Sequence, residues 1–91
     1  MARILVIDDD ATIRSFLSVL LEKEGHEVLC AGDGETGITI ATAEIPDLLI
    51  TDMSLPVRTG WEVISELKSI EATREIPIIA LSAYTSPGDR D

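Results

Sequence analysis

Four aspartates stand where apolar runs stop: Asp8, Asp9 and Asp10 directly after Ile4-Leu5-Val6-Ile7, and Asp52 directly after Leu48-Leu49-Ile50-Thr51. Runs of this length and β-branched content read as strands covered on both faces. If the two are neighbours in a sheet, Asp8, Asp9 and Asp52 converge on one spot. Like charges a few ångströms apart raise each other's pKa and destabilise the fold. A hard divalent cation with oxygen ligands resolves that conflict, and Mg²⁺ suits it, needing only one or two carboxylates beside waters and phosphate oxygens. Beside such an ion Asp52 is either a ligand alone or a nucleophile toward a phosphoryl donor. Phosphoryl transfer asks for in-line attack, neutralised equatorial oxygens and donors aimed at the developing charge. Ser82, which ends a further apolar run, carries a hydroxyl suited to that last task. Plainer roles exist for each group. The acidic run alone is also a helix-capping turn that favours negative charge at a helix N-terminus, and Ser82 alone is also a strand-end hydroxyl bonded to its own backbone. An aspartate at the end of a second buried strand weighs against the first of these.

Other chemistry-bearing residues carry less. Gly32-Asp33-Gly34-Glu35-Thr36-Gly37 satisfies G-x-G-x-x-G between a strand and a helix, the dinucleotide fingerprint. It follows the second strand, however, and Asp33 and Glu35 would repel a pyrophosphate, so a tight turn explains the glycines. His26 has no second histidine or cysteine near it in sequence, which argues against a metal or catalytic role. Trp61 is expected to pack rather than to stack on a ligand. Cys30, the lone cysteine, has no internal disulfide partner and is expected to be a small buried hydrophobe.

The elements that must position the aspartates follow from periodicity. Ile13, Phe16, Leu17 and Leu20 fall at i, i+3, i+4 and i+7, which predicts a helix from Ala11 to Glu24 with that stripe buried and Val19 and Leu21 thickening it. Asp10 or Thr12 caps its start and Gly25 ends it. Glu27 to Ala31 reads as a second strand, Gly32-Asp33-Gly34 as a turn, and a weak helix follows through about Glu44, halted by Pro46. After the third strand at Leu48–Thr51, a loop with Pro56 and Gly60 leads to a helix with the stripe Val63, Ile64, Leu67 and Ile70. Pro77 opens a fourth strand, Ile78–Leu81, and Thr85 to Asp91 resembles a helix start. Strand–helix alternation with doubly buried strands predicts an α/β protein with a doubly wound parallel sheet. In such sheets ligands bind beyond the carboxyl ends of the strands, where the aspartates lie.

The bulk numbers bound the partners. Ninety-one residues make at most one domain, below the common size of about 100–150. The chain is 45% hydrophobic and 26% charged, the balance of a soluble globular protein, and its net charge is −10 from 17 acids against 7 bases. The bases are scattered singly, so direct nucleic-acid binding is not expected, since that rests on clustered cations that displace counterions. An anionic membrane surface is disfavoured for the same reason. No apolar run approaches the ~20 residues of a spanning helix, and no signal peptide precedes Arg3, so a cytoplasmic protein is expected.

The ordered set Ile4-Leu5-Val6-Ile7-Asp8-Asp9, Leu49-Ile50-Thr51-Asp52-Met53-Ser54-Leu55-Pro56 with Gly60, and Pro77-Ile78-Ile79-Ala80-Leu81-Ser82-Ala83 resembles the bacterial response-regulator receiver domain of two-component signalling. The likeness covers the whole chain at the family's spacings. It implies a flavodoxin-like receiver fold with strand order 2-1-3-4-5 and a phosphoacceptor at Asp52. It also implies Mg²⁺ or Mn²⁺ held by Asp9 directly, by Asp8 largely through water, by Asp52 and by the backbone carbonyl of Ser54. Ser82 matches the switch hydroxyl and Ala83 the small residue after it, while Pro56 and Gly60 match the loop that shapes the pocket. The implied donor is a phosphohistidine on a sensor histidine kinase or a histidine phosphotransfer protein.

Two departures stand out. Thr59 occupies a position where Asp or Asn often precedes the glycine. The family's lysine at the end of a fifth strand has no counterpart, because the only base after Ser82 is Arg90. Residues 1–91 are therefore expected to be a receiver domain incomplete at its C-terminus, lacking the fifth strand and last helix. Such a chain would expose Ile78–Leu81 as an apolar edge open to a homodimer or a domain-swapped dimer. Two other functions compete with the signalling switch: an interaction module without phosphorylation, and a metal-dependent aspartyl phosphatase. The phosphatase would want a second carboxylate two residues beyond the nucleophile, where this chain has Ser54.

Overall fold

A computed structural model of the chain describes residues 1–55 and 58–81. The elements alternate as β1 (Arg3–Ile7), α1 (Ala11–Lys23), β2 (Glu27–Ala31), α2 (Gly34–Glu44), β3 (Leu48–Asp52), α3 (Gly60–Ser69) and β4 (Ile78–Leu81). The four strands form one parallel sheet in the order β2-β1-β3-β4. That is the expected order as far as β4. The expected helix start at Thr85–Asp91 lies outside the described residues.

Caps explain the boundaries. Asp10 is the N-cap of α1, accepting from the Thr12 N–H at 2.8 Å, so Asp10 rather than Thr12 takes that role. Gly25, at φ +90°, turns the chain out of α1 after the C-cap Glu24. Asp33 caps α2 through the Thr36 N–H at 2.8 Å. Thr59 and Glu62 form a reciprocal capping box at the start of α3, the arrangement that satisfies two orphan N–H donors at once.

The sheet separates two apolar layers. On one face Leu5, Ile7 and Leu49 pack with Ile38 and Ala41 of α2 and with Val63 and Leu67 of α3, all buried. The α3 stripe is therefore as expected, with Ile64 and Ile70 half-buried at its margins. On the other face Ile4, Val6 and Ile50 pack with Leu17 and Leu21 of α1.

The second layer departs from expectation. No residue of α1 is fully buried; Phe16 is 61% exposed and Ile13, Val19 and Leu20 are also exposed. Only the Leu17–Leu21 line faces the sheet. The apolar stripe of α1 is wider than the strands it covers, because among the described residues α1 is the one helix on this face. Ile79 of β4, whose register partner is Ile50, is 47% exposed. Two smaller expectations also fail. Cys30 is exposed, because β2 is the edge strand, and its Sγ lies 3.3 Å from the Ser18 hydroxyl of α1. Trp61 is 71% exposed and packs into neither core.

Candidate functional site

The register places the acids. Ile7 pairs with Thr51 across β1 and β3, so each strand continues into an aspartate at the same edge of the sheet. Asp8 and Asp52 are buried, at 5% and 4% exposure, while Asp9 is exposed in the turn before α1. One carboxylate oxygen from each of Asp8, Asp9 and Asp52 lies within 4.8 Å of the others. The structure thus brings together the three aspartates expected to converge. Asp10 is drawn away to cap α1, so within the acidic run the helix-capping role falls to Asp10.

Backbone bonds fix the cluster. Asp8 receives the Asp10 N–H on Oδ1 at 2.8 Å, and its own N–H donates to the Ala31 carbonyl at 3.0 Å. Asp52 receives the Ser54 N–H at 3.2 Å on Oδ1. Burial pushes the Asp8 carboxyl above its usual range; the Asp10 hydrogen bond opposes this, and the charges of Asp52, Asp9 and Asp10 add to the rise.

Gly60 sets how close α3 comes to the site. A Cβ there would sit 2.6 Å from the Asp52 carbonyl oxygen and 2.7 Å from the Met53 Cα. Its N–H donates to the Met53 carbonyl at 3.3 Å. A glycine is what lets the helix start rest on the backbone that carries Asp52. Ser54 lies at the start of the same loop. Arg58 ties that loop to both neighbouring helices through Glu35 of α2, at 3.0 Å, and Glu66 of α3.

Ser82, Ala83 and Pro56 lie outside the described residues. Leu81, immediately before Ser82, pairs with Asp52 in the sheet register.

The donor set fits a hard cation. It consists of oxygens only, two of its three carboxylates are buried, and among the described residues no lysine or arginine makes an ion pair with any of them. Buried carboxylates without a cationic partner are costly, and an octahedral Mg²⁺ asks for few protein ligands.

The competing motifs take structural roles. In the G-x-G-x-x-G segment the Asp33 carboxylate occupies the α2 N-terminus. Gly37 lies against Ile7, whose side chain an added Cβ would meet. That glycine serves helix-on-strand packing, not the tight turn expected of it. The His26 Nδ1 accepts the Ala2 N–H at 3.1 Å and so ties the start of β1 to the α1–β2 turn. Sequence reasoning missed Arg14, whose Nη1 donates to the Asp8 carbonyl at 2.8 Å. On a helix face among scattered bases it carries no signal of its own.

An open parallel α/β sheet with an acidic cluster beyond the carboxyl ends of its central strands defines a class of ligand-binding domain. The particular family is shown by comparison: the chain belongs to the response regulator receiver domain family, which it matches over residues 4–91. It is 39% identical over 90 residues to response regulator PleD of Caulobacter vibrioides; that match takes in 98% of this chain and 20% of PleD. The chain thus spans about a fifth of that relative. Its structure is similar to the chemotaxis response regulator CheY4 of Vibrio cholerae, with TM-score 0.89, 33% identity, and coverage of 99% of this chain and 75% of that one. It is also similar to the receiver domain of sensor histidine kinase PA1611 from Pseudomonas aeruginosa PAO1. There the TM-score is 0.88 at 30% identity, over 98% of this chain and 73% of that one, and that domain was solved with a magnesium ion coordinated in its active-site cleft. The family is a phosphoacceptor family of two-component systems, made of signalling modules and not of ordinary turnover enzymes. Among the described residues no helix is long and apolar enough to cross a membrane.

Proposed function

We propose that this domain accepts a phosphoryl group on Asp52 from a phosphohistidine of a sensor histidine kinase or a histidine phosphotransfer protein. The transfer takes place in the cytoplasm and requires Mg²⁺ or Mn²⁺. The observation that supports this most is the pair of buried aspartates ending adjacent parallel strands, with Asp9 beside them. Asp8, Asp9, Asp52 and the Ser54 carbonyl hold the cation, which when bound neutralises the phosphoryl oxygens. An Asp52 carboxylate oxygen attacks phosphorus in line; the P–N bond to histidine breaks, and the imidazole leaves and takes up a proton. The product is an acyl phosphate on Asp52. Ser82 donates its hydroxyl to the new phosphoryl group and, with Ala83 beside it, carries the conformational switch. The test is transfer of ³²P from a phosphorylated histidine phosphotransfer protein to this chain. Label that is lost with EDTA and cleaved by hydroxylamine is expected; hydroxylamine-stable label, or transfer undiminished by EDTA, contradicts the assignment.

A second function has one observation in its favour. Among the described residues β4 is an edge strand, and its Ile79 is 47% exposed. An apolar edge of this kind invites pairing with a second chain, as a homodimer or a swapped dimer. A domain that self-associates through β4 but takes no label would be an interaction module alone. An aspartyl phosphatase is the weakest alternative, because Ser54 stands where its acid–base carboxylate would be.

A further inference from the structure

We propose that Arg14 is a positioning residue for the metal-binding turn, and that the absence of a side chain at Gly32 leaves its guanidinium in place. The proposal rests on the phosphoacceptor assignment and adds to it a residue outside the ligand set. Arg14 closes the first turn of α1, its N–H donating to the Asp10 carbonyl. Its Nη1 donates to the carbonyl of Asp8 at 2.8 Å, and that carbonyl belongs to the peptide unit joining Asp8 to Asp9.

Three bonds converge on Asp8 from three directions. The Asp8 N–H reaches across to Ala31 at the end of β2 at 3.0 Å, Oδ1 takes the Asp10 N–H at 2.8 Å, and the carbonyl takes Arg14. Together they fix the Asp8–Asp9 peptide plane and so the direction in which the Asp9 carboxylate leaves the turn. Among the described residues the Asp9 carboxylate makes no hydrogen bond of its own, so the peptide plane is what aims it.

The choice of partner is informative. Arg3 and Arg58 each pair with two glutamates, as expected in a chain with 17 acids against 7 bases. Arg14 makes no carboxylate pair within 4.0 Å among the described residues and holds a carbonyl instead. Gly32, at the start of the β2–α2 turn, leaves room for that guanidinium: a Cβ there would stand 3.3 Å from Nη1 and 3.8 Å from Cζ, so the guanidinium would have to give by a few tenths of an ångström. The end of β2 and the turn after it thus both bear on the site, through the Ala31 carbonyl and through Gly32.

Positioning and charge predict opposite signs. A guanidinium near the site repels a second cation, so removing it on electrostatic grounds alone would tighten Mg²⁺ binding. Removing a group that aims a ligand weakens binding, typically by about 10–100-fold for residues that orient metal ligands. Arg14→Met keeps the apolar stem while deleting both charge and donors, and Arg14→Lys keeps the charge and one donor group.

The experiment is calorimetric titration of the 91-residue chain with Mg²⁺ alone, with circular dichroism confirming the fold of each variant. Arg14→Met is expected to weaken Mg²⁺ binding about tenfold, with Arg14→Lys recovering part of the loss. Gly32→Val is expected to weaken binding in the otherwise native chain and to add nothing once Arg14→Met is present. Binding by Arg14→Met that equals or exceeds that of the native chain overturns the proposal while leaving the metal site intact, as does a Gly32→Val effect that is fully additive. A native chain that binds no Mg²⁺ overturns the metal site itself, and the proposal with it.

Discussion

Asp8 is an acid that the fold makes reluctant to ionise. Burial raises its pKa, and Asp52 and Asp9 raise it further. In the metal-free protein the folded state therefore holds the Asp8 proton more tightly than the unfolded chain does. By linkage, the stability this contributes is present at and below the ordinary carboxylate value of about 3.9 and is lost as pH rises through the raised folded value. Asp33 runs the other way: the Thr36 bonds lower its pKa, so its contribution is present above the ordinary value and is lost as pH falls through the lowered one. Asp8→Asn should accordingly raise the melting temperature of the metal-free protein at pH 7 and flatten its decline between acidic and neutral pH, while weakening Mg²⁺ binding. Thermal melts across pH with and without Mg²⁺ check this. Gly60 makes the second residue-scale prediction. An alanine there meets backbone atoms of Asp52 and Met53, which cannot swing aside as a side chain can. Gly60→Ala should cost about 1–3 kcal/mol, the range of small overpacking changes, and slow labelling of Asp52; denaturant melts and labelling kinetics report the two effects. The aspartates were legible in the sequence because each ends a recognisable apolar strand. Arg14 was not, because its partner is a backbone carbonyl brought near by the turn, which leaves no trace in residue type.

At the scale of elements, periodicity and turn signals located the helices and strands of the described residues but not which apolar residues each would bury. α3 packs beside α2, with Val63 and Leu67 buried in one core layer and Ile64 and Ile70 half-buried at its margins. α1 carries a stripe of similar quality, yet Leu17 and Leu21 alone face the sheet while Phe16 stands in water. Periodicity reports which face of a helix is apolar; the breadth of its cover depends on neighbours that the helix's own sequence does not describe. Leu17→Ala should thus cost about 1 kcal/mol, roughly half the value of a fully buried leucine. Phe16→Ala should stay within about 0.5 kcal/mol, as surface changes do. Chemical denaturation of the two variants compares them directly, and a larger loss at Phe16 would contradict the packing described for α1. Thr73 was also missed. It is fully buried, and its hydroxyl donates to the Leu67 carbonyl at 2.6 Å near the end of α3, a polar group inside a core layer that hydropathy alone passes over.

At the scale of the molecule, parallel topology is what turns separate sequence motifs into one site. β1 and β3 are 40 and more residues apart in the chain, yet their parallel register brings Asp8 and Asp52 to one edge with no further device. The strand order was legible because alternation of strands and helices leaves few topologies open, and the family likeness chose among them. The central claim is that this edge takes a phosphoryl group on Asp52 with a divalent cation. The most direct test is the intact mass of the chain after incubation with acetyl phosphate, with and without Mg²⁺, beside an Asp52→Asn control. A Mg²⁺-dependent gain of one phosphoryl group that vanishes in the control is predicted. Folded protein that gains no mass with Mg²⁺ present, or that gains it equally in Asp52→Asn, would contradict the account.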